Sequence, residues 1–149
     1  MSAGKICKRN VITTRKDCTI QEAARLMRQH HVGCLVITAE KSGTVEPVGI
    51  VTDRDIVLEV IAEDLDLNEV NVGDIMSYAL LKVQESDSII ETAQRMRARG
   101  VRRAPVVSDT CELIGIVALD DILELLSEEL SMLARLTSRE AEQEHKKRA

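Results

Sequence analysis

The 149-residue chain is 44% hydrophobic but only 1% aromatic: it has no Phe, no Trp and a single Tyr, Tyr78. That length and composition predict one domain or two small ones around an aliphatic core. They exclude base-stacking platforms for single-stranded nucleic acid and aromatic cages for methylated amines. The net charge of −5 divides into +2 over residues 1–62, −4 over 63–71, −3 over 72–126 and zero over 127–149. No segment is basic enough to hold duplex DNA by charge, so nucleic acid is not an expected partner.

No apolar run approaches the roughly 18 residues a membrane helix needs, and MSAGKICKRN has no signal-peptide core, so the expected location is the cytoplasm. Cys7, Cys18, Cys34 and Cys111 form no C-x-x-C pair, and His30, His31 and His145 show no metal-ligand spacing. No nucleophile–base pair and no phosphate-cradling Gly loop is present, so the expectation is a chain that is not an enzyme and holds no metal or catalytic cofactor.

In chain order, a short apolar run at Val11–Thr13 precedes a helix opened by the capping box Thr19-x-x-Glu22, whose Ile20, Ala23, Ala24 and Met27 share one face. Two β-branched strands follow, Gly33–Thr38 and Val48–Thr52, joined by a loop with Ser42-Gly43 as its turn signal. A second helix begins at Asp53. After the acidic stretch Glu63–Asn71, read as a linker, the order recurs: Leu80–Val83, a helix opened by Ser88-x-x-Glu91, strands Ala104–Ser108 and Leu113–Ala118, and a helix from Leu119.

The recurrence is a true internal repeat. A shift of 69 residues lays Gly4, Ile20, Glu22, Met27 and Val32 on Gly73, Ile89, Glu91, Met96 and Val101. A shift of 66 lays Gly49-Ile50-Val51 and Asp55-Ile56 on Gly115-Ile116-Val117 and Asp121-Ile122. The fold expected is mixed α/β (α+β): two β-α-β-β-α repeats, residues 1–62 and 72–126, packed with pseudo-two-fold symmetry across linker 63–71, plus a C-terminal helical tail over 127–149.

A tandem β-α-β-β-α unit with Gly49-Ile-Val-Thr-Asp-Arg-Asp55 at its strand–helix junction, and with Arg103-Ala-Pro-Val-Val107 in the second copy, resembles the cystathionine-β-synthase (CBS) domain pair, or Bateman module. The resemblance implies a non-catalytic regulatory module for an adenosine-containing ligand: AMP, ADP or ATP, with S-adenosylmethionine or NAD as other members of the class. It implies two clefts, each built from both repeats. The first would combine Gly49, Ile50, Thr52, Arg54 and Asp55 with Leu81, Lys82, Val101, Arg102, Arg103 and Pro105. The second would combine Gly115, Ala118 and Asp121 with Ile12, Thr13, Val32, Gly33 and Cys34.

In the first cleft, Asp55 suits ribose hydroxyls, while Thr52, Arg54, Arg102 and Arg103 suit phosphate. In the second, Ala118, Asp120, Gly33 and Cys34 stand at the matching places, which predicts a cleft that is empty or holds an uncharged moiety. Two plainer readings stay open. Thr52-x-x-Asp55 is itself a helix cap, and the Arg95–Arg103 run is a solvated basic surface, so the alternatives to a sensor are a ligand-free dimerisation or scaffold module and, with less support, a nucleic-acid-binding regulator using the Arg95–Arg103 patch. The tail stripe Leu119, Ile122, Leu126, Leu130, Leu133 and Leu136 either packs on its own module or joins two copies, and the resemblance to CBS pairs favours a homodimer. The regulated target protein is not named by the sequence.

Overall fold

The computed structural model describes residues 1–77 and 79–149, so Tyr78 lies outside the described residues. Strands β1 (Thr13–Thr14), β2 (Cys34–Lys41) and β3 (Thr44–Thr52) form one three-stranded sheet in that order. Strands β4 (Val83–Gln84), β5 (Arg103–Val107) and β6 (Leu113–Ala118) form another. In each sheet the first pair is parallel and the second antiparallel. Each parallel pair is bridged by a helix, α2 (Ile20–His30) or α5 (Ile89–Arg99).

The repeat extends to the irregularities. The ladder slips once between Ile37 and Thr38, opposite Val48, and once between Val106 and Val107, opposite Ile114. Val48 and Ile114 are equivalent under the 66-residue shift, so the same bulge occurs in both copies.

The helix starts follow their sequence signals. Thr19 Oγ1 accepts from Glu22 N at 3.2 Å while Glu22 Oε2 accepts from Thr19 N at 3.1 Å, a complete capping box. In the second copy the Ser88 hydroxyl accepts from Glu91 N at 3.1 Å, and the Glu91 side chain stands exposed. Both helices end in the left-handed region, at His31 (φ 54°) and at the equivalent Gly100 (φ 65°).

Two elements run further than the sequence patterns predict. The residues between Thr38 and Val48 form not a loop but the outer half of a hairpin, paired out to Lys41 and Thr44. Ser42 (φ 52°) and Gly43 (φ 78°) make the two-residue turn with positive φ at both centres that suits twisted strands. Its residues are largely exposed, so no burial alternation marks the extension. The tail, expected as a helix over 127–149, joins the last helix of the second repeat without a break: α6 spans Leu119–Arg148. It contains neither Gly nor Pro, and Lys146, Lys147 and Arg148 complement the dipole of its C-terminal turn.

The repeats exchange their leading segments. Helix α1 (Ala3–Ile6) opens the chain, yet Ala3, Ile6 and Cys7 pack in the core of the second sheet with Val83, Val106 and Ile122. Helix α4 (Val72–Ile75) follows the linker, yet Val72 and Met76 pack in the core of the first sheet with Ile20, Leu35 and Val51. The docking is matched bond for bond. Gly4 N donates to Glu85 O at 2.9 Å, and its equivalent Gly73 N donates to Lys16 O, the equivalent of Glu85, at 3.0 Å. Leu67 and Val70 of the acidic stretch also pack on the first core. Helix α3 (Asp53–Ile56) continues β3 and runs into a π-helical turn at Val57–Ile61. Strands β3 and β6 meet between the sheets, which sets the two strand–helix junctions on either side of the module's centre.

Candidate functional site

The two junctions are built alike and equipped differently. In the first, Thr52 Oγ1 accepts from Asp55 N at 3.1 Å and Asp55 Oδ2 accepts from Thr52 N at 2.9 Å. The capping reading of this string is therefore real. It uses one hydroxyl lone pair and one carboxylate oxygen, leaving the Thr52 O–H as a donor and Asp55 Oδ1 as an acceptor. In the second, Ala118 N donates to Asp121 Oδ2 at 3.1 Å, so the carboxylate arm persists without a hydroxyl. Here the other oxygen is engaged: Asp121 Oδ1 lies 3.1 Å from Lys8 Nζ. Lys8 arrives on the exchanged leading segment, where Lys8 N donates to Ile116 O at 2.9 Å.

A cavity of about 580 Å³ opens at the first junction. Ile50, Thr52, Arg54, Asp55, Val101, Arg102 and Arg103 line it, from both repeats. Asp53, Glu59, Ile75, Ser77 and Gly100 line it as well. Gly49, Leu81, Lys82 and Pro105 do not. Leu81 is buried in the second core, Pro105 is buried within β5, and the Lys82 carbonyl accepts from Arg95 Nη2 at 2.8 Å.

A second cavity of about 270 Å³ opens at the other junction. Ile12, Val32, Gly33, Cys34, Ala118 and Asp121 line it, together with Lys8, Asn10, Val11, His31, Val36, Arg103, Ile116 and Asp120. Thr13 faces instead an open outer groove beside α2, and Gly115 lies elsewhere. The glycines Gly49 and Gly115 have a shared packing role. A Cβ on Gly49 would stand 2.5 Å from Met76 Sδ, and one on Gly115 2.7 Å from Cys7 Sγ and from the Lys8 carbonyl. Met76 and Cys7 are equivalent residues on the exchanged segments, so each glycine makes room for the other repeat's leading segment.

The charges differ from the sequence expectation in two respects. The first cavity has Arg54, Arg102 and Arg103, but also Asp53 and Glu59 beside Asp55. The second is not stripped of cations, because Lys8 and Arg103 both line it. Neither was visible there in an alignment of the repeats. Lys8 falls on Ser77 under the 69-residue shift, and only the segment exchange brings each of them to a junction. Arg102 Nη2 pairs with Asp120 Oδ1 at 3.5 Å between two exposed side chains, a weak contact. Burial raises the Cys34 thiol above its ordinary value, Arg103 opposes that and Asp53 adds to it, so the sulfur stays a protonated, poor nucleophile. Among the described residues no group of three or more His, Cys, Asp or Glu is placed to hold a metal ion, and no helix is long and apolar enough to cross a membrane.

The sequence model of the family described as "CBS domain" matches residues 3–62 and again 72–128. The chain belongs to the CBS domain family. Each match covers one repeat, so the module is a CBS pair. An uncharacterized protein of Methanopyrus kandleri is 40% identical over 125 residues, which are 84% of this chain and 62% of that protein. This chain thus spans less than two thirds of that relative's length. A CBS domain protein from Pyrobaculum aerophilum, solved in complex with AMP, has a TM-score of 0.74 at 28% identity, over 86% of this chain and 99% of the other. A CBS domain pair solved with 5′-methylthioadenosine and S-adenosyl-L-methionine has a TM-score of 0.75 at 26% identity, over 87% and 98%.

Proposed function

We propose that this CBS pair is a non-catalytic regulatory module that binds an adenosine-containing ligand, with AMP, ADP or ATP in the first cavity. One observation carries the reading. The Thr52–Asp55 cap leaves a hydroxyl donor and a carboxylate oxygen at a cavity that both repeats wall and that Arg54, Arg102 and Arg103 line. A ribose diol donates to a carboxylate, and a phosphate accepts from a hydroxyl and from guanidinium. Asp55 would repel a 2′-phosphate, which disfavours NADP relative to NAD. With no Phe or Trp in the chain, the adenine would rest on aliphatic surface such as Ile50, Ile75 and Val101. The solved complexes of similar CBS pairs with AMP and with S-adenosyl-L-methionine support the ligand class.

A bound ligand ties the two repeats together, and the control it exerts is bounded by its differential affinity for the states it separates. The test is the near-ultraviolet spectrum of the purified chain. With one Tyr and no Trp, a retained adenine nucleotide dominates it, and acid extraction with mass spectrometry names the compound. If the protein carries no adenine chromophore, thermal melting is repeated with AMP, ADP, ATP and S-adenosylmethionine. No rise in Tm with any of them refutes the reading.

A second reading, self-association into a homodimer, rests on α6. Leu126, Leu130, Leu133 and Leu136 are 37%, 67%, 57% and 63% exposed along a helix that outruns its own module. Sedimentation of a chain ending at Leu126 tests it: an unchanged dimer removes the tail's role.

A further inference from the structure

The wall between the two cavities is charged and shared. Arg103 opens β5 and lines both of them, and it is the one residue common to the two linings among the described residues. Beside it, Arg102 in the first cavity pairs at 3.5 Å with Asp120 in the second. In the second cavity Lys8 is already held 3.1 Å from Asp121, whereas Arg103 forms no ion pair among the described residues. Among the described residues Arg103 is therefore the unpaired cation that the two cavities share, with Arg54 beside it in the first cavity alone.

We propose that Arg103 couples the cavities antagonistically, so that an anionic ligand in one weakens binding of an anionic ligand in the other. The inference rests on the adenosine reading above. A guanidinium fork is planar and directional, so charge-assisted bonds to a phosphate on one side turn its donors away from the other. The same phosphate draws Arg102 from Asp120, whose carboxylate then repels an anion in the second cavity. Both effects have one sign, both vanish for an uncharged ligand, and the coupling is reciprocal whichever cavity fills first.

The structure supplies the controls. Val32 and Val101 are equivalent under the 69-residue shift; Val32 lines only the second cavity and Val101 only the first. Val101→Trp fills the first and Val32→Trp the second, with Phe substituted where circular dichroism shows that Trp disturbs folding. AMP and adenosine are titrated by calorimetry into the unmodified chain and into each single-cavity variant. The product of the two AMP association constants of the unmodified chain is expected to fall at least about fivefold below the product of the single-cavity constants. With adenosine the products agree, and in an Arg103→Met background the AMP deficit closes to within about twofold.

Equal products for AMP, or a deficit that survives Arg103→Met, overturn the coupling and leave the adenosine reading standing. So does a single-cavity variant that takes no AMP. One AMP on the unmodified chain with one on each variant is the coupling at its strongest. No AMP bound by any of the proteins overturns the adenosine reading and the coupling together.

Discussion

Gly49 packs directly on Met76, so closely that a Cβ on the glycine would stand 2.5 Å from the methionine sulfur. The equivalent pair is Gly115 with Cys7, but there the Lys8 carbonyl is also 2.7 Å from the would-be Cβ. A side chain can move and a docked backbone cannot, so the two positions should differ. Gly115→Ala is expected to destabilise by about 1–3 kcal/mol and Gly49→Ala by less. Met76→Ala should relieve Gly49→Ala, while Cys7→Ala should leave most of the Gly115→Ala cost in place. Urea unfolding of the single and paired variants checks this. Equal costs with equal rescue would contradict the role given to the Lys8 backbone.

Lys8 Nζ and Asp121 Oδ1, 3.1 Å apart, close the second cavity with a contact that matters little to stability, since the Lys8 side chain is 72% exposed. Lys8→Ala is expected to move the unfolding midpoint hardly at all, within about 0.5 kcal/mol. It frees the carboxylate for a ribose, so adenosine should bind the second cavity more tightly in this variant. Calorimetric titration of adenosine into the Lys8→Ala and unmodified chains reads the difference. Equal adenosine affinity of the two chains would sever Lys8 from the site.

His31 holds φ at 54° where the equivalent Gly100 holds 65°. A left-handed conformation costs a residue with a Cβ roughly 1 kcal/mol relative to glycine. His31→Gly should therefore raise the unfolding free energy by about that amount, and Gly100→Ala should lower it by a similar one. A thermal melt in which His31→Gly loses stability would assign His31 a packing role that its exposure does not suggest.

Burial raises the thiols of Cys7, Cys18 and Cys34 above the ordinary value of 9.0. A raised folded-state pKa means that the native chain keeps protons the unfolded chain releases. These thiols therefore favour folding fully below pH 9.0, and that contribution is lost as pH climbs from there through the folded values. Denaturation midpoints should fall more steeply above pH 9.0 than in a Cys18→Ala/Cys34→Ala variant. Parallel pH profiles would contradict it.

Much of this was legible in the residues. The 69- and 66-residue shifts carried the sheets and both bridging helices, because a repeat of hydrophobic pattern is a repeat of burial. Thr52, Asp55, Arg102 and Arg103 could be assigned to one cavity because the resemblance supplied a pairing that spacing does not. The segment exchange was not legible. Whether Val72 and Met76 pack on their own repeat or on the other leaves the same apolar pattern. Lys8, Ser77 and the packing role of the two glycines went unread for that one reason. Asp53 and Glu59 were overlooked because a carboxylate beside an expected phosphate site carries no motif.

On the reading proposed above, the first cavity recognises a phosphorylated adenosine through Asp55 and its arginines. Calorimetric titration of AMP against adenosine, on the unmodified chain and on Arg102→Ala/Arg103→Ala, tests it most directly. Losing two charge-assisted contacts should weaken AMP by about 3 kcal/mol, on the order of a hundredfold, and adenosine hardly at all. Equal weakening of AMP and adenosine, or AMP affinity untouched by the double substitution, would contradict the claim.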